Sequence, residues 1–336
     1  MKRCVVVILN WNGEGHLRRF LGGTLRCSAE ADVAVADNGS TDGSVEYVES
    51  NFPMVRLLRF AENYGFAEGY NRAIAELEGY EYVVLLNSDV EVENGWLQPL
   101  LAQLDEDDTI AAVGPKILDL NRRDCFEYAG AAGGYIDYLG YPFCRGRLLN
   151  CCERDEGQYD DVRELFWVSG AAMCCRRSVF MELGGFCGEF FAHQEEIDLC
   201  WRMQLSGYRV VVVPKSRVWH LGGGTLQKSS ARKVYFNHRN NLAMLLRCAT
   251  PVQRVVVCVL RPLLDGAAAL SYLLGGDVKA MLAVGRAYRD FFGMHRRLQQ
   301  QRNAIRQHGV TESKYIYRGS IVLRYLFGRR FFKNLM

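Results

Sequence analysis

The 336-residue chain is 49% apolar and 24% charged, with a formal net charge of +3, a composition that can bury a sizeable core and excludes a disordered polymer. The charge is unevenly spread: from Arg286 onward twelve Lys or Arg stand against Asp290 and Glu312, so an acidic body carries a basic tail. Twelve cysteines show no Cys-x-x-Cys spacing and include the adjacent pairs Cys151-Cys152 and Cys174-Cys175; they read as reduced, buried thiols in a reducing cytoplasm and not as a disulfide framework.

Residues 4–9 form an apolar run stopped by Asn10-Trp11-Asn12. A secretory h-region needs roughly 7 to 15 apolar residues and no such polar stop, so this run is expected as a first strand. A helical pattern over 14–27 follows, then an apolar run at 33–36, a helix over 44–50, a run at 55–60, a helix over 65–77, a run at 82–86, a helix over 94–104 and a run at 110–113. The order βαβαβαβ predicts an α/β chain with a mostly parallel sheet flanked by helices. In such sheets ligands bind outside the carboxyl ends of the strands, and those ends are polar here: Asn10-Trp11-Asn12-Gly13, Asp37-Asn38-Gly39-Ser40-Thr41-Asp42-Gly43, Glu62-Asn63-Tyr64-Gly65 and Asn87-Ser88-Asp89. Turn chemistry accounts for any one of the four. It does not readily account for all of them at one edge.

These segments, in this order, resemble the inverting family 2 glycosyltransferases with the Rossmann-like GT-A fold, and within them the rhamnosyltransferase-like branch. The likeness runs over residues 4 to 245, predicting a catalytic domain at 1–245 and a helical, basic and aromatic region at 246–336. The resemblance implies a nucleoside-diphosphate sugar donor contacted by Asn10, Asn12, Asp37, Asn63, Gly65, Asn71, Asn87 and Ser88. Asn87-Ser88-Asp89 sits where the family carries its Asp-x-Asp motif, which makes Asp89 a ligand for Mg²⁺ or Mn²⁺ although Asn87 replaces the first aspartate. His220, closing Val218-Trp219-His220 before Leu221-Gly222-Gly223-Gly224-Thr225, resembles the family's strand-end histidine and is expected as a second metal ligand. In Glu195-Glu196-Ile197-Asp198, Glu196 aligns with the catalytic base, with Glu195 and Asp198 as alternatives if the register shifts. The same acidic run also suits a helix N-terminus.

Residues 255–272 are apolar but contain Arg261, Pro262 and Asp265, which leaves no uninterrupted stretch of about 18 to 20 residues to span a bilayer. Farther on, basic residues alternate with aromatics around Tyr315-Ile316-Tyr317-Arg318 and Tyr325 to Lys333. This suits either a peripheral contact with the inner membrane face, near a lipid-linked or glycan acceptor, or an appendage packed on the catalytic domain. No nucleic-acid module accompanies it. Two rival functions exist. A dinucleotide-dependent dehydrogenase needs Gly-x-Gly-x-x-Gly after the first strand, which Asn10-Trp11-Asn12-Gly13-Glu14-Gly15 does not supply. A non-catalytic sugar-nucleotide-binding protein would keep the fold without turnover.

Overall fold

The computed structural model describes residues 2–222, 230–305 and 312–335; residues 223–225 of the glycine-rich segment and His308 lie outside the described residues. The strands are β1 Cys4–Asn10, β2 Asp32–Asp37, β3 Arg56–Arg59, β4 Tyr82–Asn87, β5 Val90–Val92, β6 Ile110–Asp119, β7 Arg122–Phe126, β8 Gly134–Asp137, β9 Pro142–Cys144, β10 Arg147–Leu148, β11 Cys151–Cys152, β12 Arg163–Glu164, β13 Ala172–Arg176, β14 Arg209–His220 and β15 Ile316–Tyr317. The helices are α1 Glu14–Cys27, α2 Ser44–Asn51, α3 Gly65–Glu76, α4 Leu97–Glu106, α5 Arg177–Glu182, α6 Glu195–Leu205, α7 Ala231–Cys248, α8 Pro251–Leu274, α9 Val278–Ile305 and α10 Ile321–Leu326.

The main sheet runs β12-β14-β6-β13-β4-β1-β2-β3. Strands β1 to β4 are parallel, as the alternating pattern predicts, while β13 enters antiparallel between β4 and β6. Its central strands are continuous apolar runs because both faces are covered. Successive side chains point to opposite faces, so Val5 and Val7 join one core layer with Ala67, Tyr70 and Ile74 of α3. Cys4, Val6 and Ile8 join the other, with Leu17 and Leu21 of α1 and Leu97 and Leu100 of α4. All twelve cysteines are free thiols, most of them buried.

A second, smaller sheet, β11-β10-β9-β8-β15, recruits its last strand from the C-terminal region. Phe332 follows it into the core, with ring centroids 6.0 Å from Tyr135, 6.0 Å from Phe143 and 5.6 Å from Tyr159. Several aromatics of the basic tail are therefore engaged by the body, and α7 runs through residue 245 without a break.

Helix α8 is continuous over 24 residues through Arg261, Pro262 and Asp265, and contrary to expectation it is, by length and composition, apolar enough to cross a membrane. The two charges sit four residues apart and pair with each other on the inward face at 3.3 Å, while the outward face is almost wholly aliphatic.

Candidate active site

Register brings the polar strand ends together. Asn10 lies opposite Asp37, and Leu9 opposite Asn87. Asn10 Nδ2 donates to Asp37 Oδ1 at 3.1 Å, and the Ser40 amide donates to Oδ2 at 3.0 Å. Asn12 closes the turn by accepting from the Thr41 amide at 2.7 Å, while its own amide donates to Ser40 Oγ at 2.9 Å. Asp37 is thereby fixed at the edge of the sheet and nearly buried. Ser88 Oγ sits by Gly13, 3.6 Å from where a Cβ would stand.

The next segment is held by its own amides. Asn63 Oδ1 accepts from the Gly65 amide at 2.8 Å and from Asn38 Nδ2 at 3.1 Å. Gly65 has φ +80°, and a Cβ there would stand 2.5 Å from the Phe191 carbonyl oxygen, so glycine lets this turn approach the loop before α6. Asn71 clamps that loop in both directions, donating to Phe186 O at 2.9 Å and accepting from its amide at 2.8 Å. The side chains of Asn63 and Asn71 are thus engaged in joining α3 to the residue 185–191 loop.

Asp89 and His220 meet because β5 pairs antiparallel with the end of β14, Val90 opposite His220. His220 Nε2 lies 3.1 Å from Asp89 Oδ1 and 3.4 Å from Asn87 Nδ2, and Nδ1 lies 3.5 Å from Glu127 Oε2. Burial alone would lower the imidazole pKa, but the two carboxylates push it up to about 10. Burial would likewise raise Asp89, yet hydrogen bonding and the charge of His220 hold it below the ordinary carboxylate range. Among the described residues no three His, Cys, Asp or Glu converge as a closed cage. Glu127, invisible to sequence reasoning because it lies in an irregular turn without a motif, would orient the imidazole in the manner of a carboxylate behind a metal-bound histidine. It also walls a polar cavity of about 390 Å³ with Arg122, Tyr128, Cys152 and Gly222.

Helix α6 opens on Gln194, itself at φ +74°. Asn240 of α7 donates to the Ala192 and His193 carbonyls at 2.9 and 2.7 Å, and Asn241 to Gln194 Oε1 at 3.1 Å, fixing that entry. Among the three acidic candidates Asp198 is sealed: fully buried, it pairs with Arg202 at 2.8 Å and with Arg247, which leaves it no route to an acceptor. Glu195 is also buried, and burial together with Glu196 raises its carboxyl. Glu196 is partly exposed, with its pKa pushed up to about 7 chiefly by burial. Its Cβ lies 3.6 Å from where a Gly170 side chain would begin, one residue from Ala171, whose carbonyl accepts from the Asn87 amide at 2.9 Å. The turn before β13 therefore meets the base candidate and the metal-motif segment alike.

A doubly covered, mostly parallel sheet with these groups at its carboxyl edge is the GT-A architecture of glycosyltransferases. The family model described as Glycosyl transferase family 2 matches residues 5–125. An N-acetylglucosaminyl-diphospho-decaprenol L-rhamnosyltransferase of Mycobacterium tuberculosis is 30% identical over 258 residues, 71% of this chain and 83% of that one. The chain belongs to glycosyltransferase family 2. Solved structures share the fold at low identity. Staphylococcus aureus TarS 1-349 with UDP-GlcNAc has a TM-score of 0.56 at 16% identity, covering 98% of this chain and 93% of that one. GalNAc-T7 with UDP, GalNAc and Mn²⁺ has 0.58 at 19%, covering 74% of this chain but 48% of its own length. The Pyrobaculum calidifontis mannosyltransferase PcManGT, in complex with GDP-Man and Mn²⁺, has 0.52 at 15%, covering 98% and 88%.

Proposed function

We propose that this glycosyltransferase moves a sugar, with inversion, from a nucleoside-diphosphate donor to a hydroxyl of a lipid-linked glycan at the cytoplasmic face of the membrane, in cell-surface polysaccharide assembly. The observation that carries the reading is that one turn, Gly170-Ala171, touches both the partly exposed Glu196 and Asn87, which borders the pair formed by Asp89 and His220. The rhamnosyltransferase relative, whose name specifies a diphospho-decaprenol acceptor, supports rhamnose as the sugar and a prenyl-linked acceptor.

Asp37, fixed at the end of β2, suits hydrogen bonds from the nucleoside. Asp89 and His220 would hold Mg²⁺ or Mn²⁺, which when bound supplies positive charge to the departing diphosphate. Glu196 takes the proton of the acceptor hydroxyl as that oxygen forms its bond to the anomeric carbon. The bond from that carbon to the diphosphate oxygen breaks, and its electron pair leaves with the nucleotide. A carboxyl raised toward neutral pH is matched to this task, since it can be ionised at working pH and still hold the proton it takes.

The test is purified protein with Mg²⁺ or Mn²⁺, a panel of nucleotide sugars and a prenyl-diphospho-GlcNAc acceptor. Nucleoside diphosphate should be released and the product anomer inverted. Glu196→Gln should lower transfer by about 10² to 10⁴ while donor affinity is kept. Normal transfer by that variant removes Glu196 from the mechanism, and donor binding without any turnover by the unmodified protein rules out an enzyme.

A further inference from the structure

Helix α8 is built inside out. The face turned toward the protein carries Gln253, Val257, Arg261 and Asp265, one every four positions and all but Val257 polar: Gln253 donates to Tyr138 O at 2.9 Å, and Arg261 donates to Leu139 O at 2.9 Å and to Asn241. Asp265 accepts from Tyr141 at 3.2 Å and from Tyr288 at 2.7 Å. The opposite face presents Val252, Val255, Val259, Leu263, Leu270 and Leu274 to solvent, each more than half exposed. A soluble surface helix has the reverse arrangement. The same side opens into a groove of about 600 Å³ between α8 and α9, floored by Pro262, Gly266, Ala269 and Leu282 and edged by Arg286 and Arg289. No carboxylate is among its described lining residues.

From this arrangement we infer that the outward face of α8, with the α8–α9 groove, is a docking surface for an anionic lipid bilayer, lying in the plane of the headgroup region. An aliphatic helix face of this kind partitions into the acyl boundary, and arginines beside it pair with lipid phosphates. The inward charges bind α8 to the body and keep it from crossing. A second copy of the chain fits less well, because an isologous contact would bring Arg286 of the two copies near each other, and the one adjacent carboxylate, Asp290, is already paired with Arg289 at 2.8 Å. Arg261, Asn241 and Gln194 connect α8 to the start of α6, so the bilayer would set the orientation of the helix that carries Glu196. This inference deepens the lipid-linked-acceptor reading.

The full chain is sedimented with phosphatidylcholine vesicles, alone or mixed with phosphatidylglycerol, with no donor or acceptor present, so the result is independent of sugar transfer. Binding is expected to the mixed vesicles and to fall as salt rises. Val255→Glu with Leu263→Glu, both at exposed positions, should lower the partition coefficient by about a hundredfold, as two aliphatic insertions are lost. Arg286→Gln with Arg289→Gln should remove the preference for phosphatidylglycerol. Leu326→Ser with Phe327→Ser, exposed in the tail, should bind as the unmodified chain does. Three results overturn the inference: no binding to either vesicle by the folded chain, loss of binding in the tail variant alone, or a dimer in solution that the α8 variant converts to monomer without any vesicle affinity.

Discussion

A carboxyl whose pKa is raised by folding is stored instability, and that can be measured without any substrate. Burial raises the Glu196 carboxyl from 4.5 to about 7, which at 1.36 kcal/mol per tenfold corresponds to on the order of 3 kcal/mol in favour of the protonated form. A carboxyl raised on folding contributes its stability below about pH 4.5, where it is neutral in both states, and loses it as pH rises through about 7. Glu196→Gln stays neutral throughout and escapes the loss. The variant should therefore match the unmodified protein at about pH 4 and exceed it at about pH 8.5 by up to on the order of 3 kcal/mol, a melting-temperature gain of roughly 4 °C for a chain of this size. Parallel thermal melts and urea titrations at the two pH values check it, while transfer activity moves the opposite way. A gain that is equal at both pH values, or a variant less stable in alkali, would falsify the assignment of a pKa-raised carboxyl at this partly buried position.

Asp198→Asn leaves Arg202 and Arg247 facing a neutral amide in a buried setting and should cost about 3 to 5 kcal/mol in urea denaturation; a loss below about 1 kcal/mol would show that the ion pair is not sealed from solvent. Glu127→Gln removes the charge behind His220 and should weaken Mn²⁺ binding, followed by titration calorimetry or electron paramagnetic resonance, by about 10- to 100-fold, with circular dichroism unchanged. Unaltered Mn²⁺ affinity would mean that Glu127 does not orient the imidazole.

The sheet edge was legible because each polar cluster directly follows an apolar run, and in a parallel α/β sheet every such boundary falls on one side. Strand β13 was not, because its apolar residues carry no mark of direction, and only pairing with β4 and β6 shows it antiparallel. Strand β6 continues six residues beyond its expected end, through Gly114 and Pro115 to Asp119, since its pairing with β14 outweighs the local turn signals. Glu127 reaches His220 across 93 residues of chain, a relation no local pattern encodes.

The acidic run was half legible, and helix geometry explains which half. At 100° per residue, Glu196 and Asp198 point about 200° apart, whereas Asp198 and Arg202 share a face. Only one of the first two can face a cleft, and Arg202 already marks the side that turns inward, where Arg247 completes the pair. The i,i+4 rule also bears on α8: Arg261 and Asp265 look like interruptions when the sequence is read for hydropathy alone and like one inward stripe when read by helical period. A pair of opposite charges one turn apart in an aliphatic run therefore signals which face is buried. In both helices that signal leaves the opposite face, Glu196 in one case and the valine and leucine surface in the other, turned away from the buried pair.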